Sequence, residues 1–137
     1  MNESQFWGKV RGGMQGKWHA TRIESATMAG IPDITFTIPK RHGWIELKYL
    51  EAFPKKASTK VRIDHFTDKQ REWIMSRGQL AGNVWVIIGV GKEFFVFPYH
   101  DAYNITEWTA EEWRDNASLH FKQHVNWLDV YTLLLKG

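Results

Sequence analysis

Gly30-Ile31-Pro32-Asp33-Ile34-Thr35-Phe36-Thr37-Ile38, then Pro39-Lys40-Arg41-His42-Gly43, then Trp44-Ile45-Glu46-Leu47-Lys48 is the stretch that decides the fold. Its outer segments alternate. Asp33, Thr35 and Thr37 fall opposite Ile34, Phe36 and Ile38, and Trp44, Glu46 and Lys48 fall opposite Ile45 and Leu47. Successive strand side chains point to opposite faces, so each segment reads as a strand with one apolar side. The turn-rich link is short enough for an antiparallel hairpin.

Parity carries the next step. For the two apolar sets to share one core, the numbers of paired residues must add to an odd total. A four-residue loop over 39–42 meets that condition, pairing Ile38 with Gly43, Thr35 with Glu46 and Asp33 with Lys48. Asp33, Glu46 and Lys48 then share a face, within roughly 5–8 Å of one another as cross-strand or diagonal neighbours. A slip of one residue would expose the apolar set, so burial enforces the constellation. Two carboxylates that close repel unless a cation sits between them, and a divalent ion with oxygen ligands answers that need. Lys48 can offer charge to a reacting phosphate.

Gly30-Ile31-Pro32-Asp33, twelve residues, then Glu46-Leu47-Lys48 resembles the PD-(D/E)xK nuclease signature. In detail it is similar to the small phage-type branch that includes virus-type replication–repair nucleases and Holliday-junction resolvases. The resemblance implies an α/β, restriction-endonuclease-like αβββαβ core with a mixed sheet between helices. It implies a metal-dependent deoxyribonuclease leaving 5′-phosphate and 3′-hydroxyl ends. One or two Mg²⁺ or Mn²⁺ ions would sit on Asp33, Glu46 and the Leu47 carbonyl. An ordinary hairpin with an exposed Glu46–Lys48 pair is the plain alternative.

The chain has 137 residues, enough for one domain with a single core. We expect a nuclease core over about 3–99 and a helical extension over about 105–137. No apolar run approaches the ~20 residues of a bilayer span, and no signal peptide opens the sequence. The lack of cysteine excludes disulfides and thiolate zinc sites and fits a reducing cytoplasm, the host's if the gene is a phage's. Eight tryptophans place some rings at a surface. Net charge is only +3, but Lys40, Arg41, Lys48, Lys55, Lys56, Lys60 and Arg62 stand against Glu46 and Glu51 in one segment. That run reads as a cationic flank for a phosphate backbone, or else as a solvated charge run.

Along the chain, 3–15 reads as a helix with Phe6, Val10 and Met14 buried, weakened at its end by Gly12 and Gly13. A strand follows over Trp18–Ser25. Glu3 in the first helical turn suits the helix dipole. In the resembled family a first-helix glutamate or an Arg-x-Glu, here Arg22-Ile23-Glu24, supplies a third carboxylate, so Glu3 and Glu24 are both candidates. Gly30 and Pro32 fix the entry to the second strand. Residues 50–66 read as an irregular, basic, DNA-facing flap. Thr67 and Gln70 form a capping box for a helix running to Arg77 and stopping at Gly78, with Trp73 and Ile74 on the core. By resemblance Gln70 also lies beside the metal water or the scissile phosphate.

Asn83–Val90 is apolar throughout, as in a strand buried on both faces. Phe94–Tyr99 follows a Gly91-Lys92 turn. A capping box at Thr109–Glu112 opens a short helix, and 126–135 forms a second, apolar around most of its circumference, which packs on the core or forms a subunit interface. Junction-cutting relatives are dimers, so the resemblance implies a homodimer acting on duplex or branched DNA, with no membrane. Structure-selective cleavage is the leading expectation. A sequence-specific homing or restriction-like endonuclease and a catalytically inactive DNA-binding module are the alternatives.

Overall fold

The computed structural model describes residues 1–23 and 30–137. The order is α1 (Glu3–Gly13), β1 (His19–Arg22), β2 (Ile34–Ile38), β3 (Arg41–Leu50), α2 (Asp68–Ala81), β4 (Val84–Val90), β5 (Glu93–Pro98), α3 (Ala110–Asn116), β6 (Leu119–Phe121) and α4 (Trp127–Lys136). The strands form one sheet in the order β1-β2-β3-β4-β5-β6. Among the described strands only β3 and β4 run parallel, and α2 makes the crossover between them. The expected αβββαβ order is present. Among the described residues no helix is long and apolar enough to cross a membrane.

The hairpin keeps the expected parity and corrects the register. Ile34 pairs with Ile45, Thr35 with Trp44 and Ile38 with Arg41, so the loop is the two residues Pro39 and Lys40 rather than 39–42. Lys40 takes the left-handed turn position at φ 62°. Gly43 is not a turn residue at all. It is buried inside β3, where a Cβ would come within 2.4 Å of the Phe36 ring and 2.5 Å of the Asn83 carbonyl. Close packing, not turn geometry, demands that glycine.

Each face of the sheet is covered. Ile34, Phe36, Ile38, Ile45, Leu47, Trp85 and Ile87 pack with Phe6, Val10 and Met14 from α1 and just beyond it, and with Val130 and Leu134 of α4. On the other face Val84, Val86 and Ile88 meet Ile74 of α2, Trp113 of α3, and Val61, Ile63 and Phe66. Thus β4 is buried on both sides, as its unbroken apolar run requires.

Several boundaries differ from expectation. Helix α2 runs through Gly78 to a stop at Gly82, because Gly78 lies against Tyr99, where a Cβ would meet the ring at 2.1 Å. The first strand is only His19–Arg22, and its expected continuation over 24–25 falls outside the described residues. Loop 50–66 is irregular, yet it is not a free flap. Val61, Ile63 and Phe66 are buried, and Lys60 bridges to Thr109. The C-terminal segment adds an unforeseen strand, β6, on β5. Its last helix packs on the core through Val130 and Leu134 and leaves Leu128 exposed. The indole of Trp127 lies so close to Gly13 that a Cβ there would approach it to 2.0 Å.

Candidate functional site

The site forms where one strand outruns its neighbour. The β2–β3 ladder ends at Ile34 and Ile45, while β3 continues to Leu50. Continued in register, Leu47 would face Pro32, which has no N–H to give. The Asp33 carboxylate takes the place of the missing strand, accepting the Leu47 N–H at 3.0 Å. A strand residue directs its N–H and C=O to the same side, so the Leu47 carbonyl faces that gap too.

Glu46 and Lys48 project from the opposite face to Ile45 and Leu47, under the start of α2. Glu46 is fully buried and Lys48 nearly so. The Lys48 ammonium lies 3.2 Å from Glu46 Oε2, donates to the His65 carbonyl at 2.9 Å and sits over the Phe66 ring. That partner does not offset the burial of the acid. Desolvation first, and the nearby Asp33 charge second, push the Glu46 carboxyl up to about 8 despite Lys48. Its second oxygen, Oε1, is buried and has no hydrogen-bond partner among the described residues.

Gln70 combines both roles read from the sequence. Its Oε1 accepts the Thr67 N–H at 2.9 Å and Thr67 Oγ1 accepts the Gln70 N–H at 3.2 Å, completing the capping box. Its Nε2 donates to Glu46 Oε2 at 3.5 Å, a long contact. The backbone before Asp33 is pressed against the same turn of helix. Gly30 has φ 93°, and a Cβ there would lie 2.7 Å from the Lys69 carbonyl. Only glycine fits that approach.

Glu3 reaches the same neighbourhood from α1. Burial and then the Asp33 charge raise its carboxyl above the ordinary range, with Lys48 and Arg22 opposing. Arg22 pairs with Glu3 at 3.3 Å. Glu24 itself lies outside the described residues.

The cationic run is scattered. Lys40 and Arg41 sit at the hairpin tip, five strand residues or about 17 Å from Glu46. Lys55, Lys56 and Arg62 are exposed on the loop, and exposed Lys60 pairs with Glu107 at 2.7 Å. Lys60 and Arg62 share a groove with Arg71, which the sequence reading passed over. Arg71 stacks on Phe66 at 5.0 Å. A signal was present: Phe66 and Arg71 occupy the two positions, before the cap and four residues into the helix, that commonly pack together. The His65 carbonyl had no such signal.

Asp33, Glu46 and the Leu47 carbonyl form an oxygen donor set suited to a hard divalent cation. The partnerless, fully buried Glu46 Oε1 fits such an ion. Among the described residues, no group of three or more His, Cys, Asp or Glu is placed to hold a metal.

No family model matches the chain, and no curated protein matches it. Among solved structures it is similar to Hjc of Archaeoglobus fulgidus, described as a Holliday junction resolvase from an archaeal hyperthermophile. That likeness has a TM-score of 0.52 at 16% sequence identity, and covers 71% of this chain and 77% of the other. The chain therefore has a restriction-endonuclease-like fold, a six-strand mixed sheet flanked by helices.

Proposed function

We propose that this chain is a divalent-metal-dependent DNA endonuclease of the PD-(D/E)xK type, selective for branched DNA. The observation that carries this reading is the buried Glu46 carboxylate, one oxygen unpartnered, beside Asp33 and Lys48 at the overhanging end of β3. The fold, shared with a protein described as a Holliday junction resolvase, supports the branched substrate. Absence of a matching family model leaves the phage-type branch resting on the Gly30–Asp33 and Glu46–Lys48 motifs.

Asp33, Glu46 and the Leu47 carbonyl would hold Mg²⁺ or Mn²⁺, with Glu3 and Glu24 the candidates for a third carboxylate. The ion would supply a nucleophilic water at neutral pH and neutralise charge on the phosphate. Lys48, fixed between the His65 carbonyl and Glu46, presents a rigid positive charge to the scissile phosphate. Gln70, anchored by its capping box, holds Glu46 in place and offers its amide to water or phosphate. Lys55, Lys56, Lys60 and Arg62 on the loop, and Lys40 and Arg41 at the hairpin tip, contact the DNA backbone away from the cut. A homodimer would supply the two sites that symmetric junction cleavage needs.

The test compares a four-way junction, a random-sequence linear duplex, nicked or flapped duplexes and single strands, each with Mg²⁺ and with Mn²⁺. Asp33→Ala is the control. Symmetric, metal-dependent junction cleavage lost in the variant is the expected result. Cleavage of the duplex at a defined sequence would replace the resolvase-like reading with a homing-type enzyme. Binding without cleavage under all conditions would leave a DNA-binding module.

A further inference from the structure

The face of α2 turned away from the core carries a stripe, Lys69, Glu72, Trp73, Ser76, Arg77 and Leu80, lining a groove of about 440 Å³. That volume lies in the ~300–1,000 Å³ range of sites that take small organic groups. Inside the groove the rings and charges are already ordered. Trp44 of β3 and Trp73 meet edge to face at 5.2 Å, and the Arg77 guanidinium lies over Trp73 at 4.6 Å and over Trp44 at 5.9 Å. Arg77 has no carboxylate within ion-pair distance among the described residues. Leu80 is 90% exposed, a cost with no structural return in a helix already anchored through Ile74.

One end of the groove is Lys69, whose carbonyl abuts Gly30, three residues before Asp33. The sheet face that bears Glu46 adjoins it through Trp44, which meets Trp73 at 5.2 Å and the His42 ring at 5.8 Å. By strand parity Thr35, Thr37, His42 and Trp44 share that face, and the His42 ring joins Thr35 Oγ1 at 3.1 Å and Thr37 Oγ1 at 3.4 Å. Hydroxyls and an imidazole beside an unpaired guanidinium suit phosphate oxygens. A flat guanidinium already stacked on an indole suits a nucleobase freed from its own stack.

We propose that this face of α2 is a subsite for an unstacked nucleobase of the DNA strand entering the Asp33–Glu46 site. Arg77, held flat by Trp73, is the stacking platform, and the adjacent phosphate lies along Thr37 and His42. Glu72, the one acid in the stripe, keeps the phosphates on the Arg77 side. The inference rests on the nuclease reading for its strand, but not for its test. A branch point supplies unpaired bases and a continuous duplex does not, so the subsite would favour branched substrates without reading sequence.

Binding is measured by fluorescence anisotropy without divalent metal, on oligothymidine and on an abasic strand of equal length. The proteins are wild type, Arg77→Ala, Trp73→Leu and, as a control for loss of one positive charge elsewhere, Lys136→Ala at the exposed end of α4. Wild type and Lys136→Ala should bind oligothymidine alike. Arg77→Ala should weaken that binding about tenfold, the order expected for losing one stacked base. The abasic strand should bind all four proteins as weakly as oligothymidine binds Arg77→Ala. Equal affinity of wild type and Arg77→Ala for oligothymidine would overturn the proposal. So would wild-type affinity for the abasic strand equal to that for oligothymidine. Base-dependent binding by a protein that never cleaves DNA would remove the nuclease reading and leave the subsite. Cleavage with Arg77→Ala binding unchanged would do the reverse.

Discussion

The Asp33 carboxylate accepts the backbone N–H of Leu47 at 3.0 Å. One acid thereby caps the β2–β3 ladder and stands beside Glu46, so structural and chemical roles coincide in a single side chain. Substitutions can separate them. Asp33→Asn retains an oxygen acceptor for Leu47 and should unfold within a few degrees of wild type, while DNA cleavage falls about a hundredfold or more. Asp33→Ala should lose cleavage equally and in addition cost about 1–3 kcal/mol for the Leu47 N–H left unpaired. Denaturant melts beside single-turnover cleavage check both. Intact cleavage by Asp33→Asn would remove the residue from the site.

Glu46 predicts an uncommon pH dependence. Its carboxyl is pushed up to about 8 in the folded chain from an ordinary value near 4.5. Between those values the folded state holds a proton that the unfolded state has released, so metal-free stability falls as pH rises through that window. Glu46→Gln carries no charge and should be more stable than wild type at pH 8 without metal. The difference should disappear near pH 4. Added Mg²⁺ or Mn²⁺ should raise the melting temperature of wild type and not of the variant. Thermal melts across pH, with and without metal, decide it. A wild-type curve flat between these pH values would show that Glu46 titrates normally.

What could be read in advance follows from what each feature depends on. The sharing of one face by Glu46 and Lys48 needed only the alternation of Ile34, Phe36, Ile38, Ile45 and Leu47, and burial enforces it whatever the loop length. The register depended on Gly43, whose local signal is that of a turn but whose cause is the Phe36 ring directly across the strand pair and the Asn83 carbonyl, far along the chain. Gly78 misled for the same reason, since Tyr99 is what it accommodates. Strand β6 is three residues long, too short for a periodic pattern, and exists because β5 offers it an edge. At the site, Gln70 was legible through its cap, whereas the His65 carbonyl that holds Lys48 is a backbone group and leaves no trace in residue identity.

The Gly43 account can be tested alone. Alanine there would drive a methyl group into Phe36 and into the Asn83 carbonyl, which belongs to the connection into β4 and accepts the Trp44 N–H. Gly43→Ala should destabilise by about 1–3 kcal/mol, although alanine ordinarily suits a strand better than glycine. Gly43→Ala with Phe36→Leu should recover part of the loss. Urea melts of the single and double variants measure the coupling. A stabilised single variant would mean that Gly43 serves only the backbone.

Gln70 joins a helix cap to a catalytic candidate, and the two contributions divide between substitutions. Gln70→Glu keeps an oxygen for the Thr67 N–H, since glutamate serves a capping box as well as glutamine. It also turns the donor that faces Glu46 into an acid. Its melting temperature at pH 6 should stay close to that of wild type while cleavage falls about tenfold or more, with the dependence on metal concentration altered. Thr67→Ala removes the cap and should cost about 1 kcal/mol with cleavage of the remaining folded protein preserved. Equal loss of stability and activity in both variants would mean that Gln70 acts through the helix alone.

The third carboxylate is the remaining choice, and the charges around Glu3 make it the first to test. Its carboxyl feels Asp33 and Lys48, which places it within electrostatic reach of the site, and Arg22 holds it at 3.3 Å. Burial and Asp33 raise its pKa, and a cation beside Asp33 would favour the charged form. Glu3→Gln should weaken Mn²⁺ binding, measured by calorimetry, and lower cleavage about tenfold or more. Arg22→Ala frees Glu3 from its partner and should shift metal affinity less than loss of the acid itself. Glu24→Gln should leave both quantities near wild type. If Glu24→Gln rather than Glu3→Gln lowers metal affinity and cleavage, the acid belongs to the chain between β1 and β2, and Glu3 is the partner that orients Arg22.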